Sequence, residues 1–203
     1  MESVNRQRTE DRGQGSRPGL RLDELAQRLT PRAGWDDLAL PETGLRQLRQ
    51  IAGALGRQDG RAAAMPAASR DGGTATLFIG LDRQGKSAAA EALAREIGAD
   101  LYRVDLAAVV SRYIGQTERN LRRLFEAAEA SGAVLLFDEA DALFGKRADV
   151  RDSRDRYANL HIGALLQRMQ SYPGLTVLSV ARRPDLDSAF LRWLRFVVEF
   201  PPI

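Results

Sequence analysis

The chain has 203 residues, with 30 Lys+Arg against 27 Asp+Glu, one His and no Cys, and a formal net charge of +3. The length accommodates one domain with a substantial core, and without cysteine there is no disulfide framework, thiolate zinc site or cysteine nucleophile. No apolar stretch reaches the ~18 residues of a spanning helix, Met1 to Arg21 lacks the apolar segment of a signal peptide, and the positive excess is too small and evenly spread to argue for nucleic-acid binding, so a cytoplasmic protein is expected.

Residues 1–20 carry almost no large apolar side chain and read as a disordered tail. Leu22, Leu25, Ala26 and Leu29 at i, i+3, i+4, i+7 predict a short helix stopped by Pro31. After a loop holding Trp35-Asp36-Asp37, a second helix is expected over Glu42–Leu55, with Leu48, Ile51, Ala52 and Leu55 on one face. Gly56 to Gly73 reads as a flexible connection, so 21–73 is expected to be helices and linker, and 74–203 the core. Strands are predicted at Thr74–Ile79, Leu101–Val104, Ala133–Phe137, Leu175–Val180 and Phe196–Phe200. Helices are predicted at Lys86–Ile97, at Glu118–Ala130 and around Ile162, Leu165, Leu166 and Met169. Strands alternating with helices predict an α/β fold, a parallel sheet covered on both faces.

The strongest feature is Gly80-Leu81-Asp82-Arg83-Gln84-Gly85-Lys86-Ser87, a G-x-x-x-x-G-K-S placed after a strand and before a helix. Backbone N–H groups of such a loop converge on phosphate oxygens at a helix N-terminus, where the dipole favours negative charge. Lys86 would reach the β- and γ-phosphates, and the Ser87 hydroxyl would bind Mg²⁺. Lys86 and Lys146 are the only lysines among the 30 basic residues. The second feature is Val134 to Asp141, an apolar strand ending in the paired carboxylates Asp138 and Glu139. At the carboxyl edge of an open sheet, Asp138 could hold Mg²⁺ and Glu139 polarise an attacking water. Between Lys86 and Asp138 there is room for one strand, two helices and a second strand, which suits neighbouring parallel strands. Acids at a strand end also serve as plain helix caps.

Taken together, these segments resemble the AAA-type (AAA+) ATPases. Trp35-Asp36-Asp37-Leu38 is similar to the motif that family carries ahead of its nucleotide site. Ser111 to Glu118, containing Tyr113, Ile114 and Gly115, resembles its first pore loop; Phe137 to Phe144 resembles its Walker B segment, and Gly80 to Ser87 its Walker A loop. Asp187 to Phe196 resembles the segment bearing its arginine fingers. In texture the chain is most similar to bacterial members related to cell-division-cycle and vacuolar-sorting type ATPases, over roughly Pro31 to Pro202. The resemblance implies a three-layer phosphate-loop NTPase core with five parallel strands in the order 5-1-4-3-2. It implies ATP and Mg²⁺ as ligands, with Gly80 to Ser87 and Ala88 on the nucleotide and Ser87 and Asp138 on the metal. Catalysis would fall to Glu139 and to Arg192 and Arg195, which would reach the γ-phosphate of a neighbouring subunit. Tyr113, Ile114 and Gly115 would face the pore of a ring, typically a hexamer, and grip a polypeptide client; neither nucleic acid nor a membrane is an expected partner. Tyr113 also reads as a surface tyrosine, His161 and Trp193 as surface or packing residues, and Gly145–Asp155 as a solvated loop.

Three departures stand out. Leu81, Asp82, Arg83 and Gln84 replace the family's Pro-Pro-Gly-Thr, so Asp82 brings negative charge near a triphosphate unless Arg83 offsets it. Ala181 stands where the family has a water-positioning asparagine. The family's helical lid is expected to be missing, since residue 203 falls just after the last predicted strand. The leading reading is ATP hydrolysis coupled to remodelling of protein partners in a ring. The alternative is a degenerate or truncated subunit that binds nucleotide with little hydrolysis and acts as a regulatory module. Asp138-Glu139-Ala140-Asp141 also spells the DEAD-box helicase motif, but those enzymes need two such domains; clamp-loader or initiator roles and a small-molecule kinase are weaker options.

Overall fold

A computed structural model describes residues 25–55, 73–110, 113, 115–141, 163–183 and 194–202. In chain order the elements are β1 (Ala26–Leu29), a 3₁₀ turn (Trp35–Asp37), α1 (Glu42–Leu55), β2 (Thr74–Ile79), α2 (Arg83–Glu96), β3 (Leu101–Val104), α3 (Leu106–Val109), α4 (Gln116–Ser131), β4 (Val134–Phe137), α5 (163–171), β5 (Leu175–Val180) and β6 (Phe196–Glu199). The tail 1–20, most of the Gly56–Gly73 connection, Gly145–Asp155, His161 and Trp193 lie outside the described residues.

The strands form one sheet in the order β1-β3-β4-β5-β2-β6. All neighbours run parallel except β1, which pairs antiparallel with β3 from Ala26↔Val104 to Leu29↔Leu101. The five parallel strands reproduce the expected 5-1-4-3-2 order, and β1 adds a sixth at the edge. This corrects the reading of Leu22 to Leu29 as a helix, since Ala26–Leu29 is strand. A helix of eight residues recovers little of the cost of nucleation, whereas the open edge of β3 offers unpaired N–H and C=O groups to an extended segment. Ala26 turns inward, and Arg28 reaches out to Asp100 at 2.7 Å.

Strand alternation divides the core into two layers, as expected when both faces of a parallel sheet are covered. On one face, Leu77, Leu135, Phe137, Leu178 and Val180 meet Leu121, Leu124 and Phe125 of α4 and Leu165 and Met169 of α5. On the other, Phe78, Leu136, Val177 and Val198 meet Leu48 and Ile51 of α1 and Ala90 and Leu93 of α2. Each large apolar side chain so buried contributes about 1.5–3 kcal/mol. The segment before α1 is tied to α2 by charge-assisted bonds. Glu91 accepts from the backbone N–H groups of Arg32 and Ala33 at 2.9 and 3.1 Å, and Trp35 Nε1 donates to Glu96 at 3.0 Å.

The sheet also fixes where chemistry can occur. Ile79 pairs with Val180 and Glu199, and Phe137 with Val104, so β2, β3, β4, β5 and β6 all end on one edge. In the strand order the next strand after β2, β3, lies beyond β5, whereas the next after β5, β6, lies beyond β2. The order thus reverses between β2 and β5, the kind of switch point where such folds bind ligands. Gly80, Asp138 and Ala181 follow those ends directly.

Candidate functional site

Gly80 leaves β2 with φ +152°, and a Cβ there would lie 2.4 Å from the Phe200 carbonyl oxygen. Only glycine permits both that conformation and that approach. The helix after it starts earlier than predicted: α2 begins at Arg83, not Lys86, because Asp82 acts as its N-cap. The Asp82 carboxylate accepts from the Gly85 N–H at 2.8 Å, occupying one of the donors that a helix leaves free.

Lys86 is buried, and its Nζ donates to the carbonyls of Gly80 at 2.6 Å and Val180 at 2.8 Å, bridging the ends of β2 and β5. Burial lowers its pKa from the usual lysine value; the negative charges of Asp138, Asp141 and Asp82 oppose the shift, and Arg83 adds to it. The folded chain therefore gives up this proton at lower pH than the unfolded chain, so stability rises as pH climbs from the folded pKa towards 10.5 and is lost again as pH falls. With two lysines in the chain, ¹³Cε-lysine NMR should show two signals, one of which disappears in Lys146→Arg. The survivor is expected to titrate below 10.5; a midpoint at or above that value contradicts the buried placement of Lys86.

Asp138 sits at the end of β4 with its carboxylate almost fully enclosed. Oδ1 accepts from Ser179 Oγ at 3.0 Å and from the Glu139 N–H at 3.1 Å, while Oδ2 accepts from Arg83 Nε at 3.0 Å. Arg103 Nε lies 3.9 Å from the same oxygen. Glu139 is exposed and takes Arg83 Nη1 on Oε1 at 2.6 Å. These carboxylates raise the Arg83 pKa, the Asp138 hydrogen bond and charge before the Glu139 charge. Glu139 has φ 53°, the one positive φ outside glycine among the described residues. That left-handed backbone costs about 1–2 kcal/mol and turns the side chain away from the strand's line.

Several expected site residues thus converge: Gly80, Asp82, Arg83, Gly85, Lys86, Asp138 and Glu139. Ser87 and Ala88 follow in the first turns of α2, half-buried, and Leu81 and Gln84 are exposed. Tyr113 is 80% exposed, and Gly115 is the N-cap of α4 at φ 73°. Arg195 lies elsewhere. Its backbone N–H donates to Ala75 O at the opposite end of β2 from the phosphate loop, roughly 16 Å away at ~3.3 Å per residue. Ile114 and Arg192 lie outside the described residues.

Three residues that sequence reasoning did not assign also shape the site. Ser179 orients Asp138, Arg103 approaches the same carboxylate, and Asp141 accepts from the Ala181 N–H with both oxygens, at 3.0 and 2.8 Å. For Ser179 a signal existed: a small hydroxyl at the carboxyl end of a mostly apolar strand is costly to bury without a partner.

The site's own groups test whether a metal–nucleotide would suit it. A Cβ on Gly85 would collide with Asp82 Oδ2 at 2.2 Å, so an oxyanion already rests on this stretch of backbone and takes its N–H. Asp138 and Glu139 already hold a cation, the Arg83 guanidinium. The donor and acceptor sets therefore fit phosphate and Mg²⁺ respectively.

A mostly parallel α/β sheet whose first parallel strand feeds a glycine–lysine–serine loop, with carboxylates on a nearby strand end, defines a phosphate-loop nucleotide-binding protein. Residues 76–201 match the model of the ATPase family associated with various cellular activities (AAA), and the chain belongs to that family. It is similar to the proteasome-activating nucleotidase of Pyrococcus abyssi (strain GE5 / Orsay), with 36% identity over 132 residues, 62% of this chain and 33% of that protein. It is also similar to the peroxisomal ATPase PEX6 of Saccharomyces cerevisiae, with 35% identity over 125 residues, 59% of this chain and 12% of that protein. The chain thus spans a third or less of either relative. Among solved structures, a chain of the E. coli MS115-1 HORMA:CdnC:Trip13 complex shares the fold at TM-score 0.64 and 22% identity, covering 89% of this chain and 71% of that one. Among the described residues no helix is long and apolar enough to cross a membrane.

Proposed function

We propose that this chain binds a nucleoside triphosphate, ATP by family, in the loop Gly80 to Ala88 and hydrolyses it as one subunit of a cytoplasmic ring that remodels polypeptides. The observation that carries this reading is the meeting of Lys86, Asp138 and Glu139 at the switch point of the sheet, beside a backbone that already accepts an oxyanion. Ser87 and Asp138 would hold Mg²⁺, which supplies charge neutralisation of the phosphates when bound. Lys86 would bind phosphate, and Ser179 keeps Asp138 aimed at the crevice. Glu139, solvent-exposed and free to turn once Arg83 releases it, would accept a proton from the attacking water.

Arg195, and Arg192 three residues before it in sequence, would serve a neighbouring subunit. The support is position: Arg195 immediately precedes β6, at the end of the strands opposite its own phosphate loop. Tyr113, flanked by Ile114 and Gly115, would meet the polypeptide client, in keeping with its exposed side chain.

Replacing Glu139 by glutamine preserves size and hydrogen bonding but removes the base. Mg-ATP turnover is expected to fall by about 10²–10⁴-fold while binding persists. Equal turnover in the two proteins removes the hydrolase reading. It would favour a second one, a nucleotide-binding subunit with little turnover, which the cross-linking of Arg83 to Asp138 and Glu139 and the apolar side chain of Ala181 support.

A further inference from the structure

Asp82 and Arg83 are adjacent in sequence, yet they engage the two halves of the site separately. The Asp82 carboxylate takes the Gly85 N–H, the kind of donor a phosphate oxygen would use. The Arg83 guanidinium spans Asp138 and Glu139, at 3.0 and 2.6 Å, in the manner of a divalent cation bridging carboxylates. The two bond to different partners, so Arg83 does not provide the offset to Asp82 that the sequence left open. Lys86 meanwhile is turned onto the carbonyls of Gly80 and Val180. Every charged group of the loop is thereby committed to a partner within the chain.

Resting on the nucleotide reading above, we propose that Asp82 and Arg83 form an internal counter-ion pair that closes this site: Asp82 competes with the phosphates and Arg83 with Mg²⁺. Loading is then an ion exchange. A phosphate oxygen replaces the Asp82 carboxylate on Gly85, and Mg²⁺ replaces the guanidinium on Asp138, releasing Glu139 at the same time. The two competitions carry different signatures. Removing the charge of Asp82 while keeping its cap favours every nucleotide species, with or without metal. Removing the charge of Arg83 favours only the metal-bound one, because only Mg²⁺ contends for its carboxylates.

The test measures binding of a fluorescent ATP analogue to the full chain and to Asp82→Asn and Arg83→Gln, each with Mg²⁺ and with EDTA. Arg83→Gln is expected to tighten binding about tenfold with Mg²⁺ and to leave it unchanged in EDTA. Asp82→Asn is expected to tighten it in both. A weaker Arg83→Gln complex would make Arg83 a phosphate ligand and overturn the proposal; equal affinities throughout overturn it while leaving the nucleotide reading intact. Binding by none of the three proteins removes both. A second measurement requires no nucleotide: urea midpoints of Arg83→Gln, Glu139→Gln and the double variant. Closure predicts that the double variant loses less than the two single losses combined. Strictly additive midpoints overturn it.

Discussion

Lys86→Ala is expected to remove nucleotide binding while leaving the fold in place. The ammonium is the one lysine cation among the described residues, and it stands between the ends of β2 and β5, where the loop opens onto the crevice. An arginine is no substitute, because its planar fork cannot enter a space where one compact charge touches two carbonyl oxygens. Truncating one partner of a buried charge pair costs at least about 2 kcal/mol, or roughly 30-fold in affinity, and more when several phosphate oxygens lose their donor. Two carbonyls also lose a donor, but the buried one, of Val180, keeps the Gly80 N–H at 3.0 Å, and the other belongs to the half-buried Gly80, where water can replace the ammonium. The measurement is titration of the fluorescent analogue against wild type and variant, with far-UV circular dichroism as the check on folding. Comparable affinity in a folded variant would show that phosphate is held elsewhere.

Phe78→Ala is expected to have the largest effect on stability. Phe78 is fully buried on β2, and its ring packs against that of Phe200 at 5.1 Å with an interplanar angle of 51°. It faces the layer formed by α1 and α2, so its loss opens a cavity that three elements would have to close together. Such truncations cost about 3–5 kcal/mol, against a total stability of about 5–15 kcal/mol for a domain. The damage extends to the site. Phe200 donates its N–H to Ile79 O at 2.7 Å, and its carbonyl is the atom that forces residue 80 to be glycine. Urea denaturation should show the loss directly. A change below about 1 kcal/mol would mean that this layer is not packed as described.

The parts of this molecule that sequence reading captured share one property: their signals are local. The phosphate loop, the apolar run into Asp138 and Glu139, and the face of α1 each lie within a dozen or so residues, and the strand order followed from resemblance to a family with the same spacing. What escaped depends on distant partners. Leu22 to Leu29 has helical spacing, yet Ala26–Leu29 is strand because β3, far along the chain, offers an open edge. Ser179 gains its role only because β5 lies beside β4. Arg83 was judged against its neighbour Asp82, whereas its partners come from the far side of α2, β3 and α4. The early start of α2 is different, since an aspartate ahead of a helix is a readable cap. The phosphate-loop pattern masked it.

β2 is held on both sides, by β5 along its whole length and by β6 over its last four residues. Gly80, at its exit, begins the phosphate loop, while Ala75, near its entrance, is tethered to the backbone of Arg195. Hydrogen-bonded on both edges and packed above and below, the strand is a stiff rod only six residues long. In the proposed ring, a push at one end would arrive at the other with little lost to bending. Mechanical news of what sits in one subunit's crevice would then reach the arginine facing the next without passing through a hinge.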